Sequence, residues 1–238
     1  VDPAESAKHT AFQRFEKDHC NEMWQTDFKG DFLLGNGIRC YPLTILDDHS
    51  RFSIRIDPKD TASGVKDSFI LAFREYGLPN SVLSDNGAQF AGPHKGISLF
   101  ERFLMDLDIQ PIHGRPIHPQ TQGKIERFHR TLKQEALRVT PSNMAEAKER
   151  LENWRWLYNE VRPHHALGMK TPASIYTSST RPYYDPKPYV YEKGTKLIKV
   201  NNWGYLRFGS VQLFLSEAMA DTKVEIRFAE DDTFSVIY

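Results

Sequence analysis

From Met23 onward apolar and polar residues alternate: Trp24, Thr26, Phe28 and Phe32 interleave with Gln25, Asp27, Lys29 and Asp31. A period of two residues is the signature of a strand with one covered face. Two further runs of strand character follow, from Ile38 to Asp47 and from Arg51 to Asp57, joined by short turn-rich connections. The chain therefore predicts a three-stranded antiparallel meander with Asp27 inside its first strand. Asp is a poor strand former, so one in mid-strand is either at an exposed edge or kept there for chemistry. The period then changes. Val65, Phe69, Ile70 and Phe73 predict an amphipathic helix over Thr61–Tyr76, stopped by Gly77 and Pro79. A short apolar strand from Ser81 ends in Asp85-Asn86-Gly87. That places a carboxylate at the carboxyl end of a strand reached by a βα crossover, where α/β sheets carry functional groups. Residues 97–107 read as a helix and Ile109–His113 as a fifth strand.

The strongest helical pattern comes next. Ile125, Phe128, Leu132, Ala136 and Val139 recur at intervals of three and four and form a stripe that must meet a core. Pro119 suits the entrance of this helix and Thr121 can cap it. Beside the stripe lie Gln122, Glu126, His129 and Lys133, which puts Glu126 at the margin between core and solvent. Arg115, Lys124, Arg127, Arg130 and Lys133 surround that one carboxylate with positive charge. Taken alone, this is equally the pattern of a surface glutamate paired with arginines one turn away. A further helix from Met144 to Val161 carries Leu151, Trp154, Leu157 and Tyr158 and ends before Pro163.

Residues 1–21 are polar and read as an arm, residues 22–176 as the main domain, and residues 177–188, rich in Ser, Thr, Pro and Tyr, as a linker. From 189 to 238, short apolar runs separated by Gly and Asn turns predict a small β-barrel. The chain starts at Val1 without a methionine, which suggests a fragment of a longer protein.

At 238 residues, with 39% hydrophobic and 26% charged positions, this is an ordinary globular composition with room for one substantial domain and a small second one. Basic and acidic residues balance at 31 each, so only their local distribution is informative. Between Arg181 and Val211 the bases, among them Lys193, Lys196, Lys199 and Arg207, outnumber the acids. After Glu217 the acids outnumber the bases, which in a small barrel predicts one positive face and one negative face. Cys20 and Cys40 form neither a metal-ligand spacing nor a disulfide framework, which points to a reducing cytoplasm. No apolar run is long enough to span a membrane and no signal peptide is visible.

The predicted element order can bring Asp27, Asp85 and Glu126 to one edge of a sheet. Three carboxylates repel unless cations neutralise them, and an all-oxygen set suits Mg²⁺ or Mn²⁺. Two such ions can serve the attacking and leaving oxygens of a phosphodiester displacement, and the bases around Glu126 would hold nucleic-acid phosphates. Other residues carry plainer expectations. Asp47 and Asp48 read as turn and hydrogen-bonding residues, and Asn86 and Gly87 as shaping the turn that presents Asp85. His113, His118, His129, His164 and His165 lack the spacing of a zinc pair and read as capping, packing or phosphate-contacting groups. Trp154 and Trp156 read as core or interface residues.

Four separated stretches occur in order: Trp24-Gln-Thr-Asp27-Phe; Leu43-Thr-Ile-Leu-Asp-Asp-His-Ser-Arg51-Phe; Tyr76-Gly-Leu-Pro-Asn-Ser-Val-Leu-Ser-Asp85-Asn-Gly; and His118-Pro-Gln-Thr-Gln-Gly-Lys-Ile-Glu126-Arg-Phe-His-Arg-Thr-Leu-Lys. With Asn159-Glu-Val-Arg-Pro-His-His they resemble the integrase-core DDE transposases of bacterial insertion sequences, over roughly Met23–Tyr176. The tail, with Lys199-Val-Asn-Asn-Trp-Gly and Val224-Glu-Ile-Arg-Phe, resembles the small barrel that follows such cores.

The resemblance implies an α/β fold, a ribonuclease-H-like mixed sheet flanked by helices and followed by an SH3-like barrel. It implies a catalytic set of Asp27, Asp85 and Glu126 holding two Mg²⁺ or Mn²⁺ ions. The local distribution of positive charge, in turn, gives Arg115, Lys124, Arg127, Arg130 and Lys133 beside Glu126, and Lys196 and Lys199 in the basic stretch of the barrel, as the expected DNA contacts. The expected activity is cleavage at transposon DNA ends and strand transfer into target DNA, by a homodimer or larger assembly in a bacterial cytoplasm, nucleoid-associated when on DNA. The competing readings are a catalytically inactive DNA-binding descendant and a purely hydrolytic ribonuclease-H-type nuclease. The interval between Asp85 and Glu126 is a few residues longer than the family pattern, with the extra residues expected near Phe90–Ser98. No helix-turn-helix or zinc-finger pattern is present, so little sequence preference on DNA is expected.

Overall fold

A computed structural model describes residues 16–92, 96–114, 123–228 and 233–238. Strands β1 (Trp24–Phe28), β2 (Phe32–Leu33), β3 (Arg39–Asp47) and β4 (Ser53–Lys59) form the meander read from the alternation. β3 pairs antiparallel with β1 on one edge and with β4 on the other, while β2 follows β1 and meets the start of β3. β5 (Ser81–Ser84) then adds parallel to β1, and β6 (Gln110–His113) parallel to β5. Three antiparallel strands followed by two parallel ones make β1 the centre of a mixed sheet, as a ribonuclease-H-like fold requires.

Helices cover both faces. On one side, α1 (Val65–Tyr76) and α2 (Leu99–Met105) pack Phe69, Phe73, Phe100 and Phe103 against Trp24, Leu43, Ile45 and Ile54. On the other, α3 (Gly123–Glu135) and α4 (Met144–Trp156) pack Phe128, Leu132, Leu151 and Trp154 against Leu46 and Ile56. The stripe on α3 is as the spacing predicts from Ile125 to Ala136, all of it buried. Val139 leaves it. The helix ends at Glu135 and Val139 is 68% exposed. The predicted second helix starts at Leu99 instead of Ile97, since Ser98 and Glu101 form a capping box there. The Met144–Val161 helix changes to a π-helical turn at Leu157–Val161. That turn carries the buried Asn159, whose side-chain amide accepts from the Ser53 N–H and donates to the Ser53 carbonyl, where β4 begins.

The alternation on β1 misleads at one place. Gln25 is 1% exposed and not on a solvent face, because α3 covers that side of the sheet and Asp48 accepts from its Nε2 at 2.6 Å.

In the C-terminal part, β7 (Leu197–Lys199), β10 (Lys223–Phe228) and β11 (Phe234–Ile237) form one antiparallel sheet, and β8 (Tyr205–Phe208) and β9 (Val211–Phe214) another. Val200, Leu206, Met219 and Val224 are buried between them. These are the small antiparallel sheets of an SH3-like region. Tyr189-Val-Tyr191, the first apolar run of the predicted barrel, is not a strand; Tyr191 instead donates its hydroxyl to the Lys223 carbonyl at 2.5 Å. The sheets rest on the Gly96–Ser98 turn and α2, where Ser216 Oγ donates to the Ile97 carbonyl at 2.5 Å and Arg102 Nη1 to the Ala218 carbonyl at 2.6 Å.

Candidate functional site

Strand register brings the first two carboxylates together. In the parallel pair of β1 and β5, Gln25 lies opposite Leu83, so two residues further along each strand stand Asp27 and Asp85, level with one another at the carboxyl ends. Asp85 is held by its own turn, its Oδ1 accepting from the Gly87 N–H at 2.9 Å. A Cβ on Gly87 would stand 2.9 Å from that oxygen and 2.5 Å from Gln89 Nε2, so a larger residue there would push on the Asp85 and Gln89 side chains. On its other side, Asp27 lies opposite Thr44 of β3, and paired residues of antiparallel strands share a face. That face is the one under α3. Glu126 sits in the first turn of α3 and His129 one turn further on the same side.

The charges in this corner are unbalanced. Burial, then the Asp85 charge and the Glu126 charge, push the Asp27 carboxyl up to about 7, against the pull of the Phe28 N–H. Asp27 and Asp85 are half-buried, while Glu126 is exposed at the rim. Among the described residues, no three His, Cys, Asp or Glu side chains stand close enough to share a metal ion. The donor chemistry nevertheless fits a hard divalent cation: carboxylates that feel one another's charge, with Glu126 exposed at the rim.

Neutral and positive groups complete the corner. His129 is driven down to about 4 by burial and then by the Lys29 charge, so its ring is neutral. Burial and the Lys133 charge likewise pull Lys29 below the usual lysine range. Lys29 escaped the sequence reading, although its place two residues after Asp27 on the same strand face was a usable signal. Behind Asp85, His113 Nδ1 is 3.2 Å from the Asp85 carbonyl, and its Nε2 is 2.8 Å from Oε1 of Glu101. Glu101 Oε2 in turn accepts from the Ser98 and Gly92 N–H groups.

Of the expected DNA-binding residues, Arg127, Arg130 and Lys133 are exposed on α3. Lys196 and Lys199 are exposed in the C-terminal part, and Lys199 pairs with Asp221 at 2.7 Å. That pair joins the basic run to the acidic one, so Lys199 does not sit on a purely positive face. Lys124 is half-buried and bound to Asp48. Arg115, and with it His118, Pro119, Thr121 and Gln122, lies outside the described residues. Trp154 is buried and donates to Glu135 Oε2 at 2.9 Å, whereas Trp156 is exposed.

Two overlapping matches to the integrase core domain cover residues 17–119 and 107–172, together well over half of the chain. The chain belongs to the integrase core family. Its relatives include a 39.2 kDa protein of insertion element IS476 from Xanthomonas euvesicatoria, 31% identical over 160 residues, which are 65% of this chain and 44% of that protein. A 31.7 kDa protein of insertion element IS407 from Burkholderia multivorans is 31% identical over 158 residues, 65% of this chain and 55% of that one. This integrase-core chain thus spans about half the length of the curated relatives it matches. Among solved structures, a chain of the simian T-cell lymphotropic virus intasome, in complex with PP2A regulatory subunit B56 gamma, superposes with a TM-score of 0.54 at 18% identity. The superposition covers 94% of this chain and 78% of that one, so the likeness of fold runs past the core into the C-terminal sheets. Among the described residues no helix is long and apolar enough to cross a membrane.

Proposed function

We propose that this chain is the catalytic part of an insertion-sequence transposase, which cuts at the ends of its transposon and joins the freed strands to target DNA. The observation that carries the reading is the level placement of Asp27 and Asp85 at the ends of adjacent parallel strands, close enough to Glu126 that burial, the Asp85 charge and the Glu126 charge together raise the Asp27 carboxyl. These three would hold Mg²⁺ or Mn²⁺, two ions in all, with Asp27 placed by β1, Asp85 by the turn after β5 and Glu126 by the first turn of α3. Bound there, the ions would offset charge on the attacking and leaving oxygens of the phosphodiester.

In the first step water attacks phosphorus at the transposon end and the 3′-oxygen leaves as a 3′-hydroxyl. In the second, that hydroxyl attacks a target phosphodiester, its proton is lost, and the target 3′-oxygen leaves. Arg127, Arg130 and Lys133 lie on the exposed side of the same helix as Glu126, suited to the phosphates on either side of the reacting one. We read residues 22–176 as the catalytic domain, residues 189–238 as a separate small domain, and the working form as a homodimer or larger on double-stranded DNA, in a bacterial cytoplasm. Joining two transposon ends requires two active sites near each other.

A strand-transfer assay with a pre-cut 3′ end tests this against a hydrolytic nuclease and an inactive DNA-binding descendant. Joined product is expected from the parent in Mg²⁺ or Mn²⁺, and none from Asp27→Asn, Asp85→Asn or Glu126→Gln, each folded as the parent. Activity within a few-fold of the parent in any one of them removes that residue from the set. Cleavage without joining gives the nuclease, and binding without either gives the inactive descendant.

A further inference from the structure

Lys124 lies two residues before Glu126 in the first described turn of α3, on the helix that carries the exposed bases Arg127, Arg130 and Lys133. Its ammonium points the other way. Nζ lies 2.6 Å from Asp48 Oδ2 and 3.1 Å from the Asp48 carbonyl, with the Lys124 side chain 13% exposed and the Asp48 side chain fully buried. Asp48 also accepts from Gln25 Nε2 on Oδ1, at 2.6 Å, and from the Lys17 N–H on Oδ2, at 2.8 Å. Gln25 lies two residues before Asp27 on β1. One buried carboxylate in the β3–β4 turn therefore grips the chain two residues ahead of Asp27 and two residues ahead of Glu126.

We propose that Lys124 is a positioning residue, whose ion pair with Asp48 fixes the first turn of α3 on the sheet and thereby sets Glu126 against Asp27; it is not a DNA-phosphate ligand. The proposal rests on the metal-site reading above. A buried ion pair contributes little net stability, but removing one partner strands a buried charge, so the pair enforces one position for the helix start. Placement of this kind matters because metal ligands and reacting groups tolerate displacements well under an ångström before function falls. Glu126 itself is exposed, and on α3 the neighbouring ties are the packed Ile125 and Phe128. These fix the helix against the sheet, and the Lys124–Asp48 pair adds the polar anchor at its first turn.

The test uses the full chain as parent, Lys124→Gln, Lys124→Arg, Asp48→Asn, the Asp48→Asn/Lys124→Gln double variant and Asp27→Asn as a control. Mn²⁺ affinity is read by electron paramagnetic resonance titration, and affinity for a non-specific duplex is read against salt in metal-free buffer. Lys124→Gln and Asp48→Asn should each weaken Mn²⁺ binding by about tenfold or more, the range for residues that orient metal ligands. Lys124→Arg should recover most of the loss, and the double variant should be no worse than the poorer single one. The salt slope should stay at the parent's value throughout. A phosphate ligand would behave oppositely. Lys124→Gln would flatten the slope by about 0.9 with Mn²⁺ affinity untouched, and Asp48→Asn would free the lysine and tighten DNA binding; either result overturns the proposal. Should Lys124→Gln fail to fold, the same decision rests on Asp48→Asn and Lys124→Arg. If Asp27→Asn keeps the parent's Mn²⁺ affinity, the metal-site reading falls and takes this one with it. If only the Lys124 and Asp48 variants keep it, the positioning role alone is wrong.

Discussion

His129 stands between two parts of the site, its Nδ1 3.8 Å from Asp27 Oδ2 and its Nε2 2.7 Å from the Thr44 hydroxyl. The Thr44 hydroxyl has one proton and also lies 2.9 Å from the Asp27 carbonyl, which can only accept. Thr44 therefore donates to that carbonyl and accepts from His129, which assigns the ring proton to Nε2 and leaves the Nδ1 lone pair facing the carboxylate. Through Thr44 the main chain of Asp27 is thus tied to α3, the helix that carries Glu126.

His129→Ala breaks that tie and should lower single-turnover strand transfer by about tenfold or more, as loss of an orienting group typically does. His129→Gln, whose amide can donate to Thr44, should recover part of it. Equal activity in Ala and Gln variants would show that the ring only fills space.

The Asp27 carboxyl gives a pH signature in metal-free buffer. Its pKa is raised to about 7 in the folded protein, against about 3.9 in an unfolded chain. A raised carboxylate pKa means the folded state prefers the proton. Its stabilising contribution is full below about pH 4 and is lost as pH rises to about 7. The melting temperature of the parent minus that of Asp27→Asn should therefore fall over this interval and level off above it. Saturating Mg²⁺ or Mn²⁺ should remove the fall at its upper end, since the ion binds the charged form. A flat difference would mean that neither burial nor the neighbouring carboxylates raise the Asp27 carboxyl.

Much of this arrangement is written locally in the chain. The periods of two and of three to four residues mark β1, α1 and α3, and the convergence of Asp27 with Asp85 follows from β1 and β5 being parallel neighbours. What periodicity cannot carry is the identity of polar partners. Lys124 looks like one more base in a basic stretch, and only the fold brings Asp48, far upstream, against it. The run Ile-Leu-Asp47-Asp48-His-Ser-Arg-Phe-Ser-Ile did hold a clue, since two carboxylates between apolar runs must find partners when buried. Gln25 and His129 belong with it, as polar positions whose role depends on contacts made across the sheet.

The stretch read as a linker is docked over its first half. Arg181 donates to the carbonyls of Pro79, Leu107 and Asp108 at 2.9 to 3.0 Å, and its own carbonyl accepts from the Leu78 N–H at 2.8 Å. Just before this stretch, Tyr176 stacks on Phe52 with ring centres 4.3 Å apart. Arg181→Ala should cost about 2 kcal/mol or more, the scale of lost hydrogen bonds from a charged donor. It should lower the urea midpoint without changing the slope of the transition. Arg181→Lys should restore little, since a single ammonium cannot reproduce the forked geometry. A midpoint within experimental error of the parent would show that the segment is only loosely applied to the core.

The C-terminal lysines give the last prediction. Lys196 and Lys199 are exposed, and Lys199 is paired with Asp221, with both side chains more than 60% exposed. An exposed pair of this kind contributes at most about 1 kcal/mol and weakens with salt, so a DNA phosphate can displace Asp221. If these lysines bind phosphate, replacing both should flatten the slope of log affinity against log salt by roughly two units. Asp221→Asn should do the reverse at low salt, tightening non-specific binding, because it frees Lys199 from an internal competitor. The two effects separate a phosphate-binding surface from a protein–protein one. An unchanged slope in the double lysine variant, with no gain from Asp221→Asn, would remove DNA from this face. A protein–protein contact would then be the better reading of this face.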